Sequence, residues 1–420
     1  MSNTIPQGWS FEKVGKLILE FSQKCSVENE HEVLTSSKSG LMRQSDYYGE
    51  NRITRRSTID FNVIPQNYIT YRSRSDNNRF TFNQNTLGFK GLISKYYPVF
   101  THSEGEVYNN FLLNLFNFYS GVFALESVGT SQLVLSINAV KSVRLPFPPL
   151  PEQQKIATIL SSVDDVIEKT RAQIDKLKDL KTGMMQELLT KGIGHTEFKD
   201  SPVGRIPVCW QTVRLEDVLD RIDSGWSPSC IEVPPAPSEW GVLKVSSVTR
   251  GEFLELESKT LPKSLLPREQ AQIHKGDILL TRANGVAELV GKCVIVRSEP
   301  LAKLMMSDKI LRLRPNTKLD NEFLLHAFNS QTTRNQIKLS WGGSSGQKNI
   351  SQSDIKTYLV PLPPFEEQQL IAQSITQVEQ VVFDKSKKLS ALCAAKKALM
   401  QDLLTGKVRV NITDKESAVV

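Results

Sequence analysis

The sequence predicts an α+β protein: two mixed α/β domains at opposite ends of a long antiparallel two-helix coiled coil, related by a pseudo-two-fold internal repeat. Three observations carry that expectation. A segment recurs at a fixed offset of 215 residues, each copy runs on into an apolar seam at heptad spacing, and the blocks between hold short apolar runs split by turn residues. A chain of 420 residues is also too long for one hydrophobic core, so at least two folded units are required.

The first block carries a basic stretch with aromatic and amide residues interleaved. Arg52, Arg55 and Arg56 are followed by Arg72, Arg74, Asn77 and Arg79, with Tyr71 and Phe80 among them. Arg neutralises phosphates and bridges guanine O6 and N7, and Asn pairs with adenine, so these are candidate DNA contacts. Solvated loop charge is the competing reading.

Pro146-Phe-Pro-Pro-Leu-Pro-Glu-Gln-Gln-Lys-Ile-Ala157 then opens the first long helix. The prolines impose extended backbone, and helix begins near the Glu-Gln-Gln. Apolar positions follow at alternating steps of four and three: Ile156, Leu160, Val163, Ile167, Ile174, Leu177, Met184 and Leu188. That is a coiled-coil seam, and a helix of roughly 38 residues is ~57 Å long.

The second block reads as short strands at Val242 to Val245, Asp277 to Leu280 and Val294 to Val296. Its candidate DNA contacts are Lys244, Arg250, Arg282, Asn284, Lys292 and, at the end of a Gly- and Ser-rich loop, Gln347, Lys348 and Asn349. Small residues let backbone approach a phosphate, although ordinary turn chemistry explains the same loop. Outside the repeat the two blocks diverge strongly in sequence.

Pro361-Leu-Pro-Pro-Phe-Glu-Glu-Gln-Gln-Leu-Ile-Ala372 repeats the first proline run. Between Thr130–Ile193 and Ser345–Val408, 20 of 64 positions are identical without a gap, which duplication explains and chance does not. The second seam is Ile371, Ile375, Val378, Val382, Leu389, Leu392, Leu399 and Leu403, and both seams break at matched places, Thr170 with Lys385 and Lys181 with Lys396. The second block leaves the end of one helix and returns at the start of the other. A compact block that size is only ~35–40 Å across, so the shortest route makes the helices antiparallel. Ile5-Pro-Gln-Gly-Trp9 also resembles Ile206-Pro-Val-Cys-Trp210, as if each block docks in the same way.

Composition narrows the function. A net charge of +7 favours a polyanionic partner. Cys25, Cys209, Cys230, Cys293 and Cys393 include no CxxC pair, and His31, His102, His195, His274 and His326 show no metal-ligand spacing, so no metal is expected. Gly285-Val-Ala-Glu-Leu-Val-Gly-Lys-Cys293 has one residue too many for a phosphate loop and ends in Cys instead of Ser or Thr; it reads as strand-loop-strand. No catalytic constellation emerges, and neither does an apolar stretch long enough for a membrane span, so a cytoplasmic, non-catalytic protein is expected.

Pro149-Leu-Pro-Glu-Gln-Gln154 and Pro363-Pro-Phe-Glu-Glu-Gln-Gln369, with Leu188-Leu-Thr-Lys-Gly192 and Leu403-Leu-Thr-Gly-Lys407 at the helix ends, resemble the conserved regions of Type I restriction-modification specificity subunits. Lys275-Gly-Asp-Ile-Leu279 and the Ser-Gly-Gln-x-x-Ile-Ser351 segment fit the same family. The first block departs from it, keeping only Asn67-Tyr-Ile-Thr70, with Thr130-Ser-Gln132 in place of Ser-Gly-Gln. The resemblance implies target-recognition domains at 1–148 and 203–361, spacer helices at 149–194 and 362–410, and a disordered tail at 411–420. It further implies double-stranded DNA as ligand, read as a bipartite asymmetric site. The implied partners are adenine methyltransferase subunits using S-adenosylmethionine and a restriction motor-endonuclease subunit using ATP and Mg, with no cofactor in this chain. Two other classes compete: a coiled-coil adaptor with two different protein-binding heads, and a self-sufficient nuclease or methyltransferase, which the missing motifs disfavour.

Overall fold

The computed structural model describes residues 6–38, 40–49, 57–130, 132–342 and 348–412. Arg52, Arg55, Arg56 and Gln347 lie outside the described residues, as does 413–420 of the expected tail. The chain divides into two units, Met1–Arg171 with Lys387–Val420, and Ala172–Ser386.

In the first unit a four-stranded antiparallel sheet runs in the order Ile18–Phe21, Val99–His102, Ile69–Tyr71, Phe82–Gln84. Helix Asn109–Phe118 covers it, burying Phe111, Leu112, Leu115 and Phe116 at helical spacing. Their partners are Tyr71, Phe82, Phe100 and Phe123, all fully buried. The rings meet edge-on or tilted at centroid distances such as 4.9 Å for Tyr71 and Phe82 and 5.0 Å for Phe82 and Phe116. Each such ring contributes roughly 1.5–3 kcal/mol by leaving water. Two short ribbons flank the sheet: Ser10–Lys13 with Arg144–Phe147, and Arg74–Ser75 with Leu133–Val134.

The second unit repeats this topology. Its sheet runs Leu219–Ser224, Ile310–Pro315, Ile278–Thr281, Cys293–Ile295, covered by helix Asn321–Asn329. The matching ribbons are Gln211–Arg214 with Leu359–Leu362 and Ala283–Asn284 with Lys348–Asn349. The blocks that diverge in sequence therefore share one strand order. What differs is what is added: the first unit has hairpin Leu34–Ser37 with Gly40–Arg43, and the second a three-stranded sheet of Ser258–Thr260, Trp240–Leu243 and Lys303–Met305 over its own small core.

The long helices span Leu150–Lys191 and Phe365–Leu404. Within each unit the start of one lies against the end of the other. Ile156, Ala157 and Leu160 cluster with Leu403 and Leu404 in the first unit, and Ile371, Ala372 and Ile375 with Leu189 in the second. That pairing is antiparallel. The seam breaks are filled as well: Lys396 reaches Asp164 at 2.6 Å, Lys181 reaches Glu379 at 2.7 Å, and Lys385 donates to Gln173 at 2.8 Å. Thr170 is buried and returns its hydroxyl to the Val166 carbonyl. Among the described residues no helix is long and apolar enough to cross a membrane.

Candidate nucleic-acid interface

The proline-Glu-Gln-Gln motif fastens each unit to its helices. In the first unit the Trp9 indole donates to Glu152 at 3.1 Å, and in the second the Trp210 indole donates to Glu367 at 2.9 Å. The next residue clamps the sheet side: Gln153 accepts from the Tyr108 amide and donates to the Glu106 and Pro148 carbonyls, while Gln368 accepts from Asp320 and donates to Lys318 and Pro363. Both glutamines are buried, so each bond replaces water that cannot reach them. Gly192 and Gly406 end the helices with φ of 65° and 68°. A Cβ on Gly192 would meet Glu367 at 2.5 Å and Trp210 at 2.6 Å, and one on Gly406 would meet Pro6 at 2.4 Å. Only glycine satisfies both the turn and the space.

On this frame the two ribbons match residue by residue. The Leu135 amide donates to the Ser73 carbonyl at 2.9 Å, and the Ile350 amide to the Arg282 carbonyl at 3.0 Å. Ser73 thus corresponds to Arg282, Arg74 to Ala283, Ser75 to Asn284, Leu133 to Lys348 and Val134 to Asn349. The sequence candidates fall around the same feature in each unit. Arg72, Arg74, Asn77 and Arg79 are exposed on or beside one ribbon. Ser75 ties that turn by accepting from the amides of Asn77 and Arg79, and Arg74 stacks on Tyr96 with its guanidinium carbon 5.3 Å from the ring centre. At the other ribbon stand Arg282, Asn284, Lys348 and Asn349, with Arg282 and Asn349 exposed. Lys309, also exposed, was not singled out from sequence; its carbonyl accepts the Arg282 amide at 2.8 Å, so a further lysine borders that ribbon.

The three remaining candidates are less free to meet a ligand. Lys244 lies 3.9 Å from Glu232 and Arg250 4.0 Å from Glu257, so part of their charge is answered within the chain. Lys292 is half-buried, and burial together with Arg334 and Lys181 holds its ammonium below the ordinary lysine value. Arg334 itself donates to the Val290 and Glu288 carbonyls.

Beneath the sheets a matched pair escaped the sequence reading. Asn117 accepts from the Phe82 amide and donates to the Phe82 carbonyl, both at 2.9 Å. Asn329 does the same to Cys293, at 3.2 and 2.9 Å. The signal was there: Asn109–Asn117 and Asn321–Asn329 agree at six of nine positions, but at an offset of 212.

The comparisons agree with this duplicated frame. A family model described as the Type I restriction modification DNA specificity domain matches residues 16–179 and again 207–392. The Type I restriction enzyme MjaVIII specificity subunit of Methanocaldococcus jannaschii is 30% identical over 337 residues, 77% of this chain and 76% of that protein. The EcoEI specificity subunit of Escherichia coli is 33% identical over 198 residues, 46% of this chain but 32% of that longer protein. The crystal structure of the Type-I restriction-modification system S subunit from M. genitalium shares the fold at a TM-score of 0.60, with 13% identity and 98% of both chains covered.

Proposed function

The chain belongs to the Type I restriction-modification DNA specificity family, and from that premise we propose that it reads a bipartite, asymmetric site on double-stranded DNA, each unit taking one half. It is a DNA-recognition subunit and not the catalyst. Target recognition is assigned to 1–148 and 203–361, and the helical segments 149–194 and 362–410 serve as the conserved scaffold. Methyl transfer with S-adenosylmethionine, and ATP- and Mg-dependent cleavage, belong to the methyltransferase and restriction subunits that assemble with it.

The observation that carries the half-site assignment is the pair of equivalent ribbons, each edged with Arg, Lys or Asn side chains. Arg74 and Arg282 are the strongest readers on geometry. Both are exposed guanidiniums at a ribbon whose backbone is fixed by hydrogen bonds, which keeps the entropy lost on binding small. Phosphate contacts from Arg72, Arg79, Lys309 and Lys348 supply salt-dependent affinity.

The test is adenine-methylation mapping with the reconstituted methyltransferase. Arg74→Ala should relax one half-site and Arg282→Ala the other, each by about 1–3 kcal/mol at a base it reads. If both variants relax the same half, or neither changes specificity while DNA binding persists, the ribbons are not the reading edges.

A further inference from the structure

The joint that fastens the second unit to its helices contains a thiol, an imidazole and a carboxylate in line. Cys209 is exposed, with Sγ 3.9 Å from His195 Nδ1, and His195 Nε2 lies 2.8 Å from Glu367 Oε1. Glu367 is fixed from two further sides, accepting from the Ile193 amide at 3.0 Å and the Trp210 indole at 2.9 Å. The His195 ring also stands edge-on to Trp210 at 6.2 Å. With Nε2–H given to the carboxylate, the lone pair of Nδ1 faces the sulfur. Lys199 adds a positive charge nearby, its ammonium held 2.8 Å from the carbonyl of Val208, the residue before the cysteine. His195 further lines an open cleft with Met184, Leu188, Lys191 and Phe198.

The first unit shows that the joint does not need these groups. Trp9 and Trp210 each donate their amide to the carbonyl of a proline three residues earlier, so Gly8 corresponds to Cys209. There Arg409 takes the place of the imidazole, contacting Glu152 at 2.7 Å. A Trp–Glu joint thus forms with Gly and Arg in one unit and with Cys and His in the other.

We propose that Cys209 is a thiol-modification site, with His195 as its base and Glu367 as the residue positioning that base, and that its reactive partners are hydroperoxides. The thiol proton passes to His195 Nδ1, and the sulfur attacks the hydroxyl oxygen of the peroxide. The O–O bond breaks as the S–O bond forms. Sulfur is oxidised by two electrons to a sulfenic acid, the peroxide is reduced, and the proton on His195 returns to the departing alkoxide or hydroxide to give an alcohol or water.

The chain holds its own control. Cys393 is also exposed but has no imidazole partner among the described residues, whereas Cys25 and Cys293 are buried. Full-length protein is treated at pH 7 with hydrogen peroxide and dimedone, or separately with limiting iodoacetamide, and peptide mass spectrometry follows each cysteine. Cys209 should react about tenfold faster than Cys393, and His195→Asn should remove that advantage. Equal rates at Cys209 and Cys393 in the unaltered chain overturn the proposal without reliance on any variant. So does an advantage that survives His195→Asn in a protein whose urea-denaturation midpoint is unchanged. The readout is the thiol alone, so its outcome is independent of how the ribbons read DNA.

Discussion

The two sheets occupy the same frame with opposite chemistry at one spot. In the first unit Val99 faces Phe21 and Thr70, and in the second Arg312 faces Asp223 and Leu279. That register sets Tyr68 where the second unit has Asp277, and Asn67 where it has Gly276, with φ of 66° and 90° at the two. One unit fills the place with Phe21 and Tyr68 at 5.1 Å and a buried Val99. The other fills it with Arg312, 2% exposed, bonded to Asp223, Asp277 and the carbonyls of Gln270 and Gln272. Burial alone would raise the Asp223 carboxyl, but the bonds from Arg312 and Arg314 outweigh it and hold the group below its ordinary value. One backbone thus tolerates an apolar trio or an ionic one, and the Gly-Asp-Ile-Leu strand is a device of packing.

The comparison breaks most visibly at Arg312. Arg312→Met leaves two carboxylates with the part-exposed Arg314 to answer them and should cost about 3 kcal/mol, the lower end for breaking a buried ion pair. The combined Asp223→Phe, Asp277→Tyr, Arg312→Val variant imports the first unit's set and should recover most of that loss. Urea denaturation checks both. A triple variant as weak as the single one would mean that the two sites are not interchangeable.

A second difference lies on the covering helices, where His326 stands at the position of Asn114. His326 is buried beside Thr376, with Glu379, Lys181, Arg297 and Asp320 as the charged groups that act on it. Burial pushes its pKa down from 6.5 to about 4, so between those values the folded state binds fewer protons than the unfolded chain. Its contribution to stability is therefore complete above about pH 6.5 and is lost as the pH falls towards 4, by about 3 kcal/mol. His326→Asn should flatten that part of the pH profile, and an unchanged slope would assign it to other groups. Where the units agree, so should the variants: Asn117→Ala and Asn329→Ala each remove a two-way clamp and should cost about 1–3 kcal/mol, equally within error.

Why was so much of one unit's logic hidden in the sequence? The long helices were legible because a heptad seam is periodic and survives substitution: Ile156 and Ile371, or Leu188 and Leu403, keep phase whatever surrounds them. The shared sheet was not, because its equivalent positions carry Phe82 against Cys293 and Tyr68 against Asp277, which no residue-type comparison pairs. Loops of different length also move the offset from 215 at the helices to 212 at the Asn clamp and 209 at Ser73 and Arg282, so a search at one spacing misses the last two. For the candidate interface the charges were legible but their partners were not. Lys244 and Arg250 look like Arg282 in sequence, yet Glu232 and Glu257 lie beside them, whereas no carboxylate pairs with Arg282 among the described residues.

The smallest expected effect separates two ion pairs that sequence makes identical. Lys396 and Lys181 occupy the same seam position 215 residues apart, facing Asp164 and Glu379. Asp164 is half-exposed and pairs with Lys396, so Lys396→Met trades a solvated ion pair for apolar contact and should change stability by no more than about 1 kcal/mol. Glu379, by contrast, also faces Arg297 at 3.5 Å, and Arg297 in turn grips Glu322 through both nitrogens. Lys181→Met leaves Arg297 on the shared carboxylate and should cost less than Lys396→Met, with the difference vanishing in an Arg297→Met background. A double-mutant cycle between Lys181 and Arg297 measures it, the two cations being coupled through the shared carboxylate. No coupling would reduce Glu379 to a second copy of Asp164, and the seam's polar breaks would then be equivalent in energy as well as in position.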